Sequence, residues 1–232
     1  MSAARYNILN KLKAANATVL REPEVAEYYA EMTPTWESDV ARLKHWAKTM
    51  RVVKTEIFWV TEKNWTDVLN QVIEQKNLQN ILLSTQTESG KKAIKAVQAA
   101  GKAQVKHFDR VIEDWKDEFF ADIQAGFTDV RCGIAHTGTV MLFPTPAEPR
   151  TQSLVPPVHI ALFDASKMYD TFYAAMIGEK MAEDMPTNVV LVSGPSKTAD
   201  IQLTLAYGAH GPKDMVILAI LPKGVKAEDL AE

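Results

Sequence analysis

The chain has 232 residues, 47% of them hydrophobic and 24% charged, with 26 Lys and Arg against 29 Asp and Glu and a formal net charge of -3. Those values fit one large folded domain, or one with a small appendage, and exclude intrinsic disorder; the slight acidic balance, with no run of Lys or Arg, removes the electrostatic basis for a nucleic-acid partner. The single cysteine, Cys132, excludes a disulfide framework and a cluster held by four thiolates of this chain.

The first fifty residues read as helical. Trp36, Val40, Leu43, Ala47 and Met50 recur at three- and four-residue steps and give residues 37–50 one apolar face. Weaker helical patterns cover 2–15 and 24–32, punctuated by Pro23 and Pro34. From residue 55 the pattern alternates. Residues 55–60 form a strand, and Trp65, Val68, Leu69, Val72 and Ile73 mark an amphipathic helix. A short strand at 81–84 precedes a helix at 88–100, for which Gly101 suits the left-handed cap. A strand at 104–108 and a charged helix at 113–123 follow. Residues 131–143 read as two short strands around His136, Thr137, Gly138 and Thr139, and Pro144, Pro146 and Pro149 force an extended loop. Then come a strand at 158–163, a helix at 168–177, an apolar strand at 189–193, a helix at 197–207 and a last strand at 215–221. This repetition predicts an α/β fold, a mostly parallel sheet with helices on both faces and an N-terminal helical extension. The longest apolar stretch is far short of the ~20 residues of a membrane span. The N-terminus lacks the apolar core of a secretory signal, so a soluble, cytoplasmic protein is expected.

Chemistry concentrates after the strand at 189–193. Gly194 and Pro195 make a tight turn, Ser196 stands at the N-cap position, and Lys197 and Thr198 add a charge and a hydroxyl to the first turn of the expected helix. That geometry holds an anion at a helix N-terminus, at the carboxyl end of a strand. Two readings stand, because Ser196 caps a helix without any ligand and Gly-Pro is ordinary turn chemistry. The spacing is neither a Walker loop nor a dinucleotide fingerprint. Asp200 either orients a ligand hydroxyl or only favours the helix dipole. His210 is either a helix-end histidine or a proton carrier near neutral pH. The patch from His136 to Thr139 offers an imidazole and two hydroxyls around one glycine. Arg150, Ser153 and His159 follow the proline loop and are candidates for the same crevice. His136, His159, His210 and Cys132 lack metal-ligand spacing, and no metal is expected.

Four segments in order carry a resemblance. They are Gly-Ile-Ala-His-Thr-Gly-Thr at 133–139, Ser-Leu-Val-Pro-Pro-Val-His at 153–159, Ser-Gly-Pro-Ser-Lys-Thr-Ala-Asp-Ile at 193–201 and Tyr-Gly-Ala-His-Gly-Pro at 207–212. Together they resemble the lactate utilisation protein C family, whose domain is called LUD. The resemblance runs over 50–221. It implies a fold like the ribose-phosphate isomerase, glucosamine-phosphate deaminase and CoA-transferase group, with a helical extension over 1–52 and a LUD-like α/β domain over 53–232. It also implies one component of a multi-protein system that oxidises L-lactate to pyruvate. The partners would be iron–sulfur proteins, and this chain itself would carry no cluster or other cofactor. The family has an acidic residue where His136 stands, and a histidine supplies no permanent negative charge. Two other functions remain open: an independent enzyme or binding protein for a phosphorylated or CoA-like small anion, and a non-catalytic scaffold or regulatory subunit. For a ligand site the expectation is Gly194, Ser196, Lys197 and Thr198 facing Thr137, Gly138 and Thr139. His136, Asp200 and His210 are the catalytic candidates.

Overall fold

The computed structural model describes residues 3–15, 24–199, 205–208 and 210–231, in two compact units, Met1–Thr33 and Pro34–Glu232. The first unit contains α1 (Ala3–Ala14) and α2 (Val25–Met32), and neither helix buries a residue.

The second unit opens with α3 (Asp39–Val52), whose N-cap Ser38 accepts a hydrogen bond from the Ala41 N–H at 3.1 Å. Its apolar face, Leu43, Trp46, Ala47 and Met50, is wholly buried. The compact units divide at Thr33, so α3 belongs to Pro34–Glu232. The buried stripe of α3 belongs to the core of this unit.

The large sheet is built from β1 (Glu56–Val60), β2 (Asn80–Leu82), β3 (Gln104–Lys106), β4 (Ala125–Asp129), β7 (Val158–Asp164) and β12 (Asp214–Ile220). Its order is β1-β12-β7-β4-β2-β3, and every pairing is parallel. The α/β reading and the mostly parallel sheet hold. Side chains alternate between its faces. Val158, Ile160, Leu162, Val216, Leu218 and Ile220 meet α4 (Trp65–Gln75) and α5 (Glu88–Ala100). Gly101 ends α5 with φ 62°, as its sequence position requires. On the other face Ala161, Phe163, Met215, Ile217 and Ala219 meet α3 and a second sheet. Strands covered on both faces read as continuous apolar runs, and β7 and β12 do.

The second sheet has the order β8-β5-β6-β9, from β5 (Cys132–Ile134), β6 (Thr139–Leu142), β8 (Met168–Tyr169) and β9 (Val190–Val192). The hairpin expected over 131–143 is β5–β6. The apolar strand at 189–193 was expected in the parallel sheet, but β9 runs antiparallel to β6 in this smaller one, with Leu191 exposed. Its outer face is covered by α8 (Phe172–Gly178); of the helix expected over 168–177, residues 168–171 form β8 and the following bend.

The helix expected over 197–207 is absent from the described part of that segment. Lys197–Ala199 (β10) and Leu205–Tyr207 (β11) pair antiparallel, with Lys197 opposite Tyr207. The Ser196 N–H is not a free helix N-cap donor; it donates to the Pro212 carbonyl at 2.8 Å. Thr198 is β-branched and Tyr207 aromatic, residue types that suit strands.

Two elements had no strong local signal. β4 carries a glycine and ends in Thr-Asp, and α7 (Arg150–Leu154) is five residues long beside the proline loop. The expected helix at 113–123 is a 3-10 turn at Ile112–Asp114 followed by α6 (Lys116–Ala121), whose Phe119 packs with Leu82 on the face opposite α5. Among the described residues no helix is long and apolar enough to cross a membrane.

Candidate functional site

The strand order reverses between β2 and β4. From β2 the chain runs through α5 to β3 at one edge, then returns through α6 to β4 and proceeds the other way to β7 and β12. Such a reversal leaves the loops after the two strands diverging, and a crevice opens at their carboxyl ends. Here that crevice is a cavity of ≈ 370 Å³ lined by Thr87, Asp129, Arg131, Thr145, Glu148 and Lys167, with Val130 and Phe143.

Each polar group in it has a local cause. Thr87 is the N-cap of α5 and accepts from the Gly90 N–H at 3.1 Å; its own hydroxyl donates to Glu148 Oε1 at 3.2 Å. Glu148 sits in the proline loop, where its backbone exchanges hydrogen bonds with Thr145 at 3.0 and 3.2 Å. That turn directs the carboxyl inward, where Oε2 accepts from the Asp129 N–H at 3.0 Å. Asp129 ends β4, and its Oδ2 accepts from the Ser89 hydroxyl at 2.5 Å. Burial, reinforced by the negative charge of Asp129, pushes the Glu148 carboxyl up to about 7. Burial raises Asp129 as well, against the Ser89 hydrogen bond and the positive field of Lys167. Two carboxyls sharing one desolvated place do not both ionise readily. The crevice therefore holds a proton that moves near neutral pH, beside Lys167 and Arg131. The Arg131 guanidinium pairs with Glu179 and lies over the Phe143 ring, 5.4 Å from its centroid.

Sequence reasoning missed both acids. Glu148 is an isolated carboxylate among prolines, and Asp129 ends a strand with no clear pattern; nothing in their spacing connects them. The closest signal was the capping sequence from Thr87 into α5, which places a hydroxyl at the end of β2.

The residues singled out by sequence gather elsewhere. A second cavity, of ≈ 150 Å³, lies at the amino ends of β7 and β12 between the large sheet and β9. Gly194, Ser196 and His210 line it, as do Ser153, His159 and Ser193. Thr139 reaches it indirectly, because its hydroxyl is 2.7 Å from Ser193 Oγ and 2.8 Å from the Thr137 hydroxyl. His136 and Thr137 are exposed at the tip of the β5–β6 hairpin, and Lys197 is exposed. Gly138 packs on α3 instead of lining the cavity: a Cβ there would stand 2.6 Å from Thr49 Cβ. Thr198 lies in β10, and Asp200 is outside the described residues. The expected anion cradle thus lacks its physical basis, since no helix dipole starts at Ser196 and the cavity lies at the amino ends of the strands. His159 is buried, as are Ser153 and Thr139; its Nε2 is 2.8 Å from the Thr128 hydroxyl, and burial holds the imidazole down at about 4. Thr128 is a partner that sequence could not supply, because β4 itself was not legible. Among the described residues no group of three His, Cys, Asp or Glu side chains is placed to hold a metal ion.

Comparison with known proteins agrees with the motif order. Residues 43–220 match the family model described as the LUD domain. An uncharacterised protein of Neisseria meningitidis serogroup B is 59% identical over 231 residues, 99% of each chain. Lactate utilization protein C 1 of Bacillus mycoides is 29% identical over 171 residues, 69% of this chain and 71% of its own. Lactate utilization protein C of Macrococcus caseolyticus is 38% identical over 96 residues, 40% of this chain and 41% of its own. Among solved structures, a DUF162 family protein from Deinococcus radiodurans superposes with a TM-score of 0.56 over 81% of this chain and 100% of that one, at 14% identity, a likeness of fold. With the domain match spanning most of the large unit and both cavities inside its limits, the chain belongs to the LUD domain family.

Proposed function

We propose that this chain takes part in L-lactate utilisation, as a component of a multi-protein system that oxidises L-lactate to pyruvate, and that it handles a proton at the crevice between β2 and β4. Family membership and the lactate utilisation relatives support the pathway. The observation that carries the site is the pairing of half-buried Asp129 with buried Glu148 at the switch point, flanked by Lys167 and Arg131. Oxidation of a 2-hydroxy acid to a 2-oxo acid removes two electrons, the carbon-bound hydrogen and the hydroxyl proton. The ammonium of Lys167 suits the substrate carboxylate, and the acid pair suits the hydroxyl proton. The carbon-bound hydrogen leaves as a proton to water, and the two electrons pass one at a time to an acceptor outside this chain, for which iron–sulfur partner proteins are the proposed carriers. In this reading the chain works without a cluster of its own, in the cytoplasm.

The test is reconstitution. L-lactate-dependent reduction of an artificial acceptor is measured with the partner proteins alone, with the wild-type chain, and with Glu148→Gln. The expected result is turnover that depends on the wild-type chain and falls by ~100-fold or more in the variant, the usual range for losing a positioned acid–base group. Full turnover without the chain would refute the role. Full turnover with Glu148→Gln would refute the site but leave the pathway standing.

A further inference from the structure

The cavity around His159 differs in kind from the crevice. No lysine, arginine, aspartate or glutamate lines it among the described residues, and Val190, Val192 and Met215 supply much of its wall. His159 is 1% exposed, and only its Nε2 is engaged, by Thr128; Nδ1 has no hydrogen-bond partner among the described residues. His159 lines the cavity with one ring nitrogen engaged by Thr128, so a ligand there meets a ring with hydrogen-bonding capacity to spare. A charged ligand would lose its hydration there without gaining an opposite charge. A cavity of ≈ 150 Å³ holds a ring of about six atoms.

We propose that this cavity binds a small uncharged molecule of ring size, or the uncharged ring of a larger one, through a hydrogen bond to Nδ1 of His159. The imidazole is neutral at pH 7 because burial disfavours its cation, so Nδ1 offers one donor or one acceptor according to tautomer. Ser153 and Ser196 also line the cavity, the Ser153 hydroxyl donating to the Arg150 carbonyl at 3.0 Å. The site is independent of the crevice, which lies at the carboxyl ends of the strands.

The experiment is a nuclear magnetic resonance titration of the full chain, with histidine rings labelled with nitrogen-15. Phenol is the uncharged probe and benzoate its charged counterpart of similar size. Phenol is expected to shift the His159 ring nitrogens saturably, and benzoate to leave them unmoved at equal concentration. His159→Gln, whose amide can keep the Thr128 contact while losing Nδ1, is expected to weaken phenol at least tenfold. Ser196→Leu, which adds apolar volume at the cavity wall, is expected to abolish the shift. Benzoate binding as tightly as phenol would overturn the uncharged-ligand assignment. Unchanged phenol affinity in either variant, or no saturable shift by either probe, would overturn the site.

Discussion

Glu148 and His159 are two buried titratable groups with opposite consequences for stability. Folding raises the Glu148 carboxyl from 4.5 to about 7, so between those values the unfolded chain has lost a proton that the folded chain keeps, and stability falls as pH rises. Folding lowers His159 from 6.5 to about 4, so in that window the unfolded chain holds a proton the folded chain refuses, and stability falls as pH drops. From pH 4.5 to 6.5 the two slopes cancel, one proton against one. Single variants separate them. Chemical denaturation of Glu148→Gln is expected to gain on the wild type by about 3 kcal/mol between pH 4 and pH 8. His159→Gln is expected to gain by a similar amount, about 3 kcal/mol, as pH falls from 7 to 4. Curves that stay parallel across pH would show that neither group is shielded from water as the geometry requires. None of this was readable from residue type, since an isolated Glu in a proline loop and a strand histidine look like surface and core residues respectively.

At the level of elements, two of the contacts that hold the hairpin β5–β6 to α3 stand out. The Trp46 indole N–H donates to the Thr139 carbonyl at 3.1 Å, and Gly138, at φ 58°, lets the turn lie against Thr49. A side chain at Gly138 meets both the left-handed backbone and Thr49. Gly138→Ala is expected to cost about 2 to 3 kcal/mol in denaturant unfolding. Adding Thr49→Gly is expected to recover part of that, a coupling of about 1 kcal/mol; strict additivity would mean the two sites do not touch. The hairpin was legible because its strands are apolar and a Thr-Gly-Thr turn separates them. The strand pair β10–β11 was not, because Ser-Lys-Thr after Gly-Pro satisfies the local rules for a helix start. Pairing across the chain, with Ser196 bonded to Pro212, overrode that local preference.

For the whole molecule, the two compact units differ in what they bury. Helices α1 and α2 bury no residue, whereas the core of Pro34–Glu232 contains the packed faces of both sheets. A chain starting at Pro34 is expected to unfold cooperatively with Tm within about 4 °C of the full chain, measured by circular dichroism. A larger fall would show that residues 1–33 contribute to the core. The two cavities also belong to this scale. Each is assembled from segments distant in sequence, the crevice by Thr87, Asp129 and Glu148, the smaller cavity by His159, Ser193 and His210.

By itself the sequence determined the α/β class, most strands of the parallel sheet and the family, since apolar periodicity and motif order are local properties of the chain. It also marked residues that share a cavity, Gly194, Ser196 and His210, without giving that cavity's place or polarity. Tertiary structure alone decided which strand neighbours which, that β9 leaves the parallel sheet, and that Asp129 meets Glu148 at the reversal of strand order. Strand neighbours are chosen by long-range hydrogen bonding and burial, and the carboxyl pair owes its movable proton to the water those contacts exclude.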